Sequence, residues 1–179
     1  MPNPFVVEWC QNLAPGAALD IACGSGRNSV YLARLSFSVT AIDISEEALT
    51  LAKARSKSSN PSTPIQWIQQ DLDHPTLPPH QYDLIIMLRY VNSNLIQQLP
   101  DHLKPGGLLL IEQHLQTTTP VSGPKKPNFR VAPNALKNQL PPTCHLTHYQ
   151  ETLTKTNNSL WSLAQVTAPP AKPGASEEC

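Results

Sequence analysis

The sequence predicts an α/β fold built on a single doubly wound sheet, mostly parallel, that closes with an antiparallel hairpin. Short apolar runs alternate with segments of helical periodicity through the first two thirds of the chain, which is typical of strands joined by crossover helices. A turn with two glycines follows the first apolar run, and two β-rich segments lie close together near the end. These three observations define the fold class.

The parallel part of the sheet is predicted from five short apolar runs. They cover residues 18–22, 38–42, 65–69, 82–88 and 108–111. The run at 82–88, YDLIIML, is nearly all apolar, as a central strand buried on both faces should be. Apolar residues at helical spacing predict helices before and between these strands, at residues 4–13, 28–35, 46–57 and 95–103. Ser45 has the chemistry of an N-cap for the third helix, and the segment KPGG at 104–107 is predicted to end the fourth.

The last third of the chain departs from this alternation. Residues 114–131 are predicted to form a polar loop, residues 133–140 a short helix, and residues 145–152 and 159–167 two strands. A turn-like stretch at residues 155–158 joins the two strands and predicts the closing hairpin. One domain therefore covers residues 1–167, and the proline-rich residues 168–179 are predicted to be a disordered tail.

Composition argues against several classes of protein. Thirteen basic and thirteen acidic residues balance in a chain of 179, so the sequence lacks the basic surface that nucleic-acid binding needs. No apolar run approaches the roughly 20 residues that span a bilayer, and the first ten residues lack the features of a signal peptide. The four cysteines form no C-x-x-C pair, so neither a disulfide framework nor a metal site is expected. We expect a cytoplasmic protein whose partner is a small molecule.

The turn after the first strand brings small residues to the place where an open α/β sheet binds its ligands. Ala22, Gly24 and Gly26 leave the backbone bare, and glycine adopts the positive φ of a tight turn. The N–H groups that open the following helix are free to meet a carboxylate or a phosphate. Tight turns of this kind also occur in structural roles, so the turn alone favours a ligand only weakly.

Two aspartates at later strand ends make the predicted ligand more specific. Asp43 ends the second strand, seventeen residues after Gly26, where an acidic side chain accepts hydrogen bonds from the hydroxyls of a ribose. Asp71 and Leu72 follow the third strand, where a carboxylate can accept from the exocyclic amine of adenine. Each aspartate alone could be a turn or cap residue. Together the three strand ends favour a cofactor that contains adenosine.

The order of these motifs resembles a known family. Asp20 precedes the turn in the register D-x-A-C-G-S-G, and Asp43, Asp71 and the KPGG segment follow at matching places. This arrangement resembles the class I S-adenosylmethionine-dependent methyltransferases, whose Rossmann-like sheet adds a closing hairpin, over residues 4–167. More narrowly, LDIACGSGRNSVYLA followed by VTAIDIS is similar to the small bacterial methyltransferases related to the tellurite-resistance enzymes. PNPFV near the start and LRY after the fourth strand are also similar to that group.

The resemblance implies that the chain binds S-adenosylmethionine at these strand ends. The residues implied in binding it are Asp20, Ala22, Cys23, Gly24, Gly26, Arg27, Asn28, Asp43, Ile44, Asp71, Leu72 and Leu88. Within this set Asp20 organises the turn and receives the ammonium group, Asp43 takes the ribose, and Ile44 packs on the adenine. Cys23 is expected to be a packing residue rather than a nucleophile. Ala22 departs from the first glycine of the family pattern, which is a mild change.

Arg89 and Tyr90 follow the fourth strand, where acceptor and methyl group meet in this superfamily, and they are the implied catalytic residues. A structural ion pair and a core aromatic are the alternatives. The chain has Leu-Arg-Tyr-Val where methyltransferases of amides and bases carry Asn/Asp-Pro-Pro-Tyr/Phe, which argues against those acceptors. No general base stands out, so a thiol, a chalcogenide or another soft or anionic small molecule is the expected acceptor.

Two other functions stay open on the sequence. A non-catalytic sensor or partner protein that binds S-adenosylmethionine would keep the glycine turn and Asp43 but need nothing at Arg89. An NAD(P)-dependent oxidoreductase is disfavoured, because Ser29 stands where the pattern G-x-G-x-x-G has its third glycine. The basic loop at residues 123–130 either covers the acceptor or is a solvated surface segment.

Overall fold

The structure, a computed structural model, describes residues 1–77, 81–142, 144–156 and 159–168. Its strands are, in chain order, β1 (Ala17–Ile21), β2 (Ser38–Asp43), β3 (Ile65–Gln69), β4 (Tyr82–Leu88), β5 (Leu103–His114), β6 (His148–Thr156) and β7 (Ser159–Ala168). They form one sheet in the order β3-β2-β1-β4-β5-β7-β6. β1 to β5 run parallel, and β7 is antiparallel to both β5 and β6. The predicted mostly parallel sheet with a closing hairpin is confirmed.

The α-helices within the described residues are α1 (Pro4–Cys10), α2 (Arg27–Arg34), α3 (Glu46–Ser59), α4 (Ser93–Gln98) and α5 (Ala135–Gln139). α1 ends before the predicted residue 13, because residues 11–13 are exposed and bury no apolar face that would extend the helix. The Ser45 hydroxyl accepts from the Ala48 N–H at 3.1 Å, so the predicted N-cap of α3 is confirmed. Across the described ranges, no helix combines the length and the hydropathy needed to span a membrane.

β5 begins earlier than the sequence predicts. The KPGG segment at residues 104–107 lies inside this strand and does not end a helix, so that prediction is wrong. The pairing of β5 with β4 shifts register between Tyr82 and Leu84, because residues of β5 bulge out there. Gly106, with a φ of 80°, adopts the left-handed conformation within this irregular stretch.

The closing hairpin is also longer than predicted. β6 runs to Thr156 instead of ending at residue 152, because it stays paired with β7 up to Ser159. Residues 155 and 156 of the predicted turn are therefore strand, and residues 157–158 lie outside the described part. Ala168, the first residue of the predicted tail, ends β7, whereas residues 169–179 lie outside the described residues.

Two apolar cores cover the two faces of the sheet. Leu84 and Ile86 of β4 point to the face covered by α1, α2 and α3, whereas Ile85 and Met87 point to the face covered by α4 and α5. All four side chains are fully buried. Burial on both faces explains why the sequence of β4 is apolar throughout rather than alternating.

The carboxyl ends of β1 to β5 meet at one edge of the sheet, where an open α/β fold binds its ligands. β7 pairs Leu163 with His114, the last residue of β5, so the beginning of this antiparallel strand lies at the same edge. The residues before α1 join them, because the side-chain amide of Asn3 donates to Glu112 of β5 at 2.8 Å. This edge carries the candidate site.

Candidate active site

The two glycines of the turn between β1 and α2 are required for different reasons. Both have positive φ, 55° at Gly24 and 71° at Gly26. A Cβ at Gly26 would lie 2.6 Å from the ring of Trp67 and 2.7 Å from Ala52, so this glycine is required by packing. A Cβ at Gly24 would meet nothing within 4 Å. Gly24 therefore presents bare backbone to open space, where a ligand can approach closely.

The Asp43 carboxylate lies against this turn at the end of β2. Its Oδ2 accepts from the Gly24 N–H at 2.7 Å, and its Oδ1 accepts from the Ser45 N–H at 2.9 Å. Each carboxylate oxygen keeps a second acceptor position, so two hydroxyl groups of a ligand can still bind. The next residue, Ile44, is 60% exposed, which leaves an apolar side chain beside the carboxylate. The arrangement suits a ribose on Asp43 and an aromatic base on Ile44.

Asp20 lies beneath the turn, and only 2% of it is exposed. The Ser29 hydroxyl donates to its Oδ2 at 2.6 Å, which accounts for a serine where a dinucleotide-binding pattern has glycine. Burial, and to a smaller extent the nearby charge of Asp43, raise the pKa of the Asp20 carboxyl to about 7, although hydrogen bonds from Ser29 lower it. A cationic group bound above the turn would favour the ionised carboxylate.

The other predicted residues of the turn have distinct surroundings. Cys23 is buried, and burial raises the pKa of its thiol, which is protonated at neutral pH. Asn28 is buried as well, and its Oδ1 accepts from the Asn3 N–H at 2.9 Å, which ties the start of the chain to α2. Arg27 is half-buried; burial and then the charge of Arg89 lower its pKa.

Asp71 and Leu72 follow β3, as the sequence predicts. The Asp71 carboxylate accepts from the Asp73 N–H at 2.9 Å and remains exposed. Leu72 is buried, and its carbonyl accepts from the Asn92 side chain at 3.1 Å. The local turn therefore orients one carboxylate at the sheet edge, while the leucine side chain belongs to the core.

The two predicted catalytic residues, Arg89 and Tyr90, contact different parts of the chain. Leu88 packs into the core, and Arg89 follows it with a φ of 61°, a left-handed conformation that is strained in a non-glycine residue. The Arg89 N–H donates to the Glu112 carbonyl at 2.6 Å, which holds this conformation. The Tyr90 hydroxyl instead donates to Asp73 at 3.0 Å, on the side of the loop after β3.

Arg89 lies between a carboxylate and an aromatic ring. Its Nε donates to Glu112 Oε1 at 3.3 Å, and its guanidinium carbon lies 4.7 Å from the centre of the Trp161 ring. Trp161 stacks in turn on His114, with 5.7 Å between ring centres. Burial, with the charges of Arg89 and Arg130, lowers the pKa of His114 to about 4, so this imidazole is neutral at pH 7. The sequence suggested neither aromatic partner.

Glu112 connects four parts of the chain and was missed by sequence reasoning. Only 1% of it is exposed. Its Oε1 accepts from Asn3 at 2.8 Å and from Arg89, and its Oε2 accepts from Gln165 at 2.8 Å. The available signal was an acidic residue directly after the apolar run of the fifth strand; nothing in the sequence pointed to Asn3 or Gln165.

These groups border a cavity of about 350 Å³ at the sheet edge. Charged and polar side chains form part of its wall, and the start of the chain, Trp161 and Leu163 supply apolar surface. The lining residues are Met1, Pro2, Asn3, Pro4, Phe5, Arg27, Arg89, Glu112, Thr154, Ser159, Trp161, Leu163 and Gln165. Within the described ranges, no three His, Cys, Asp or Glu residues are grouped to hold a metal ion.

The basic loop at residues 123–130 contributes none of the described lining of this cavity. Its Arg130 donates to three carbonyls of the segment that follows β5, those of Pro124 at 2.8 Å, Leu115 at 2.9 Å and Ser122 at 3.0 Å. The guanidinium is therefore used to hold the loop together. A Cβ at Gly123 would lie 3.0 Å from His114 and 3.3 Å from Trp161, so the loop packs against these stacked rings.

Comparison with known proteins agrees with this geometry. The family model described as a methyltransferase domain matches residues 18–107, half of the chain. The putative methyltransferase YqeM of Bacillus subtilis is 36% identical over 118 residues, which are 60% of this chain and 47% of that protein. The probable S-adenosyl-L-methionine-dependent methyltransferase TehB of Haemophilus influenzae is 28% identical over 139 residues, which are 74% of this chain and 47% of that protein. The chain thus spans about half the length of these curated relatives.

The crystal structure of TehB from Haemophilus influenzae has the same fold, with a TM-score of 0.79 and 24% identity, over 94% of this chain and 62% of that one. The family match begins in β1 and includes the glycine turn, Asp43 and Arg89. The chain belongs to the methyltransferase domain family, in agreement with its resemblance to the class I S-adenosylmethionine-dependent methyltransferases.

Proposed function

We propose that the chain transfers a methyl group from S-adenosylmethionine to a soft or anionic small molecule, such as a thiol or a chalcogenide, in the cavity beside Arg89. The charge of the cavity wall supports this most. Arg27 and Arg89 line it, whereas Glu112, the single carboxylate of its described lining, is already bound by three donors. The wall therefore carries a net positive charge, which favours an anionic acceptor.

The glycine turn and the end of β2 fit the methyl donor. Asp43 has the acceptor positions for the ribose hydroxyls, the exposed Ile44 is suited to pack on the adenine, and bare Gly24 leaves room for the methionine part. Asp20 lies below as the counter-charge for the ammonium group, and Asp71 lies at the adenine side of the edge. When bound, S-adenosylmethionine supplies a methyl group attached to a cationic sulfur. An electron pair of the acceptor forms the new bond to this methyl group, and the sulfur keeps the electrons of the bond that breaks.

Within the described lining of the cavity, no side chain is available as a base. His, Cys, Tyr and Lys are not among these lining residues, and the two oxygens of Glu112 already accept hydrogen bonds from Asn3, Arg89 and Gln165. A thiol beside two guanidinium groups has a pKa below its value in water, because the positive charge favours the thiolate. The arginines thus activate such an acceptor electrostatically, and alignment of the two reactants lowers the rest of the barrier.

Tyr90 has a supporting role in this proposal. Its hydroxyl donates to Asp73 at 3.0 Å and lies 3.5 Å from the amide nitrogen of Asn92, which caps α4. These contacts hold the loop after β3, with Asp71 and Leu72, against the beginning of α4. Tyr90 would then act on the donor side, by positioning this loop, and Arg89 on the acceptor side.

An acceptor screen that measures release of S-adenosylhomocysteine tests the proposal. We expect small thiols and selenols to be methylated faster than amines and alcohols of equal size. Arg89→Gln should lower turnover with a thiol by about tenfold or more, while affinity for S-adenosylhomocysteine stays within about threefold. Arg34→Gln, at the exposed end of α2, is the control and should leave both unchanged. Preference for amines or alcohols would contradict the proposal, and binding without methylation of any acceptor would favour the sensor function.

A further inference from the structure

We infer that the methyl acceptor carries a carboxylate, separate from its methyl-accepting atom, and that Arg89 binds this carboxylate through its two terminal nitrogens. The inference rests on the proposed function, because it names the class of molecule that the same cavity takes. It depends on how the Arg89 guanidinium is held and on which of its donors remain available.

Three contacts hold Arg89 in one orientation. The backbone N–H donates to the Glu112 carbonyl at 2.6 Å, and Nε donates to Glu112 Oε1 at 3.3 Å. The guanidinium carbon lies over the Trp161 ring, 4.7 Å from its centre. The side chain remains 27% exposed and lines the cavity. A guanidinium held at Nε by Glu112 and over the Trp161 ring leaves the edge formed by Nη1 and Nη2 for a ligand.

The donors on that edge are available to a ligand. No described residue accepts a hydrogen bond from Nη1 or Nη2 of Arg89. Two parallel N–H groups match the two oxygens of a carboxylate, and such bidentate pairs are stronger and more selective than single charged contacts. A thiolate or chalcogenide ion alone would use this paired geometry poorly. The geometry therefore favours a carboxylate over a single-atom anion.

Charge balance leads to the same class of ligand. Glu112 shares Oε1 between Arg89 and Asn3 and uses Oε2 for Gln165, so it neutralises one guanidinium at most. Arg27 lines the same cavity, and no described residue forms an ion pair with it. A ligand carboxylate on Arg89 leaves Arg27 to face the anionic methyl-accepting atom. The cavity of about 350 Å³, with Trp161 and Leu163 on its wall, suits a short thiol acid.

A pair of acceptors that differ only in charge tests this inference. We expect kcat/KM for 3-mercaptopropionate to exceed that for 3-mercaptopropionamide by about thirtyfold, the size of one bidentate charged contact. Arg89→Lys keeps the positive charge but removes the paired donors, so the preference for the acid over the amide in kcat/KM should fall by about tenfold. Arg34→Lys is the matched control. Equal kcat/KM for acid and amide would overturn the inference and leave the proposed function standing.

A binding measurement separates failure of recognition from failure of chemistry. The methylated acid, 3-(methylthio)propionate, and its amide are titrated by calorimetry into protein saturated with S-adenosylhomocysteine. If the acid binds more tightly than the amide, and if Arg89→Lys weakens this preference, the inference is supported even if no thiol is methylated. No preference for the acid would overturn it. Circular-dichroism melting curves of Arg89→Lys and Arg34→Lys show whether either substitution has altered the fold. Binding is then compared at a temperature below the lower of the two melting temperatures.

Discussion

At the scale of single residues, Asp43 has one role that the sequence predicts and a second that only the structure shows. It is predicted to bind a ribose, and in the structure it also accepts from the N–H groups of Gly24 and Ser45. The turn and the start of α3 are thereby tied to the carboxylate before any ligand binds. Position at the end of a strand is readable from the sequence, whereas the hydrogen bonds between neighbouring turns depend on the fold.

Asp43→Asn should weaken S-adenosylhomocysteine binding by about tenfold, because hydrogen bonds to a charged acceptor contribute about 1.5–3 kcal/mol and those to a neutral one about half as much. Calorimetry measures the affinity. Glu47→Gln removes an exposed carboxylate from the first turn of α3 and should have no effect. Unchanged affinity in Asp43→Asn would mean that Asp43 is a turn residue only.

Asp20 makes stability depend on pH. Its pKa lies at about 7 in the folded chain against an ordinary 3.8, so between these values the folded chain holds a proton that the unfolded chain has released. The free energy of unfolding therefore falls as pH rises through this window, by on the order of 3 kcal/mol. Asp20→Asn cannot ionise, so its gain in stability over wild type should be larger at pH 7.5 than at pH 4.5. Urea unfolding at both pH values measures this, and an equal gain at both would contradict it.

Other residues of the site were beyond sequence reasoning. Arg89 is correctly expected after the fourth strand, but its partners Glu112 and Trp161, and the Asn3 side chain that donates to Glu112, come from three distant segments. Each is an ordinary residue in its local sequence. Their grouping follows from strand order and from the path of the first residues across the sheet edge, which no local periodicity encodes.

At the scale of elements, the strands with one clear apolar pattern are predicted well, and the irregular ones are not. The bounds predicted for β3 and β4 are those observed. Glycine and proline commonly stop helices, so the sequence predicts that the KPGG segment ends one, yet pairing with β4 draws this segment into β5 as a bulge. β6 extends beyond its predicted end because β7 supplies hydrogen-bond partners that local propensity ignores.

The glycine turn offers a matched pair of substitutions. Gly24→Ala and Gly26→Ala both place a side chain at positive φ, at a cost of about 1–2 kcal/mol each. Alanine at 26 also meets Trp67 and Ala52, so this variant should lose about 1–3 kcal/mol more. Alanine at 24 meets no protein atom and should remain folded, but its methyl group enters the donor space and should lower S-adenosylhomocysteine affinity by more than about tenfold. Urea unfolding and calorimetry separate the effects, and full affinity in Gly24→Ala would place the donor elsewhere.

At the scale of the whole molecule, Asn3 joins the first residues of the chain to the site. Its side chain donates to Glu112 at 2.8 Å and accepts from the Phe5 N–H at 2.8 Å, and its N–H donates to Asn28 at 2.9 Å. One buried side chain thus caps α1 and completes the hydrogen bonds of a buried carboxylate. The cavity wall depends on this connection.

Asn3→Ala should lower the free energy of unfolding by about 2–3 kcal/mol, because it removes an N-cap and a hydrogen bond to a buried charge. Turnover should fall with it, since Glu112 then holds Arg89 less firmly. Urea unfolding and the S-adenosylhomocysteine release assay measure the two effects. Asn12→Ala, at an exposed position after α1, is the control and should stay within about 0.5 kcal/mol of wild type. A similar loss of unfolding free energy and of turnover in both variants would mean that Asn3 has no specific role in the site.

The central claim is that the donor lies in the glycine turn and directs its sulfur toward the cavity of Arg89. A crystal structure of the complex with S-adenosylhomocysteine tests this most directly. The account predicts ribose hydroxyls within hydrogen-bond distance of Asp43, adenine against Ile44, and the homocysteine sulfur open to the cavity lined by Arg27 and Arg89. A complex in which the sulfur faces away from that cavity, or in which Asp43 does not contact the ribose, would contradict it.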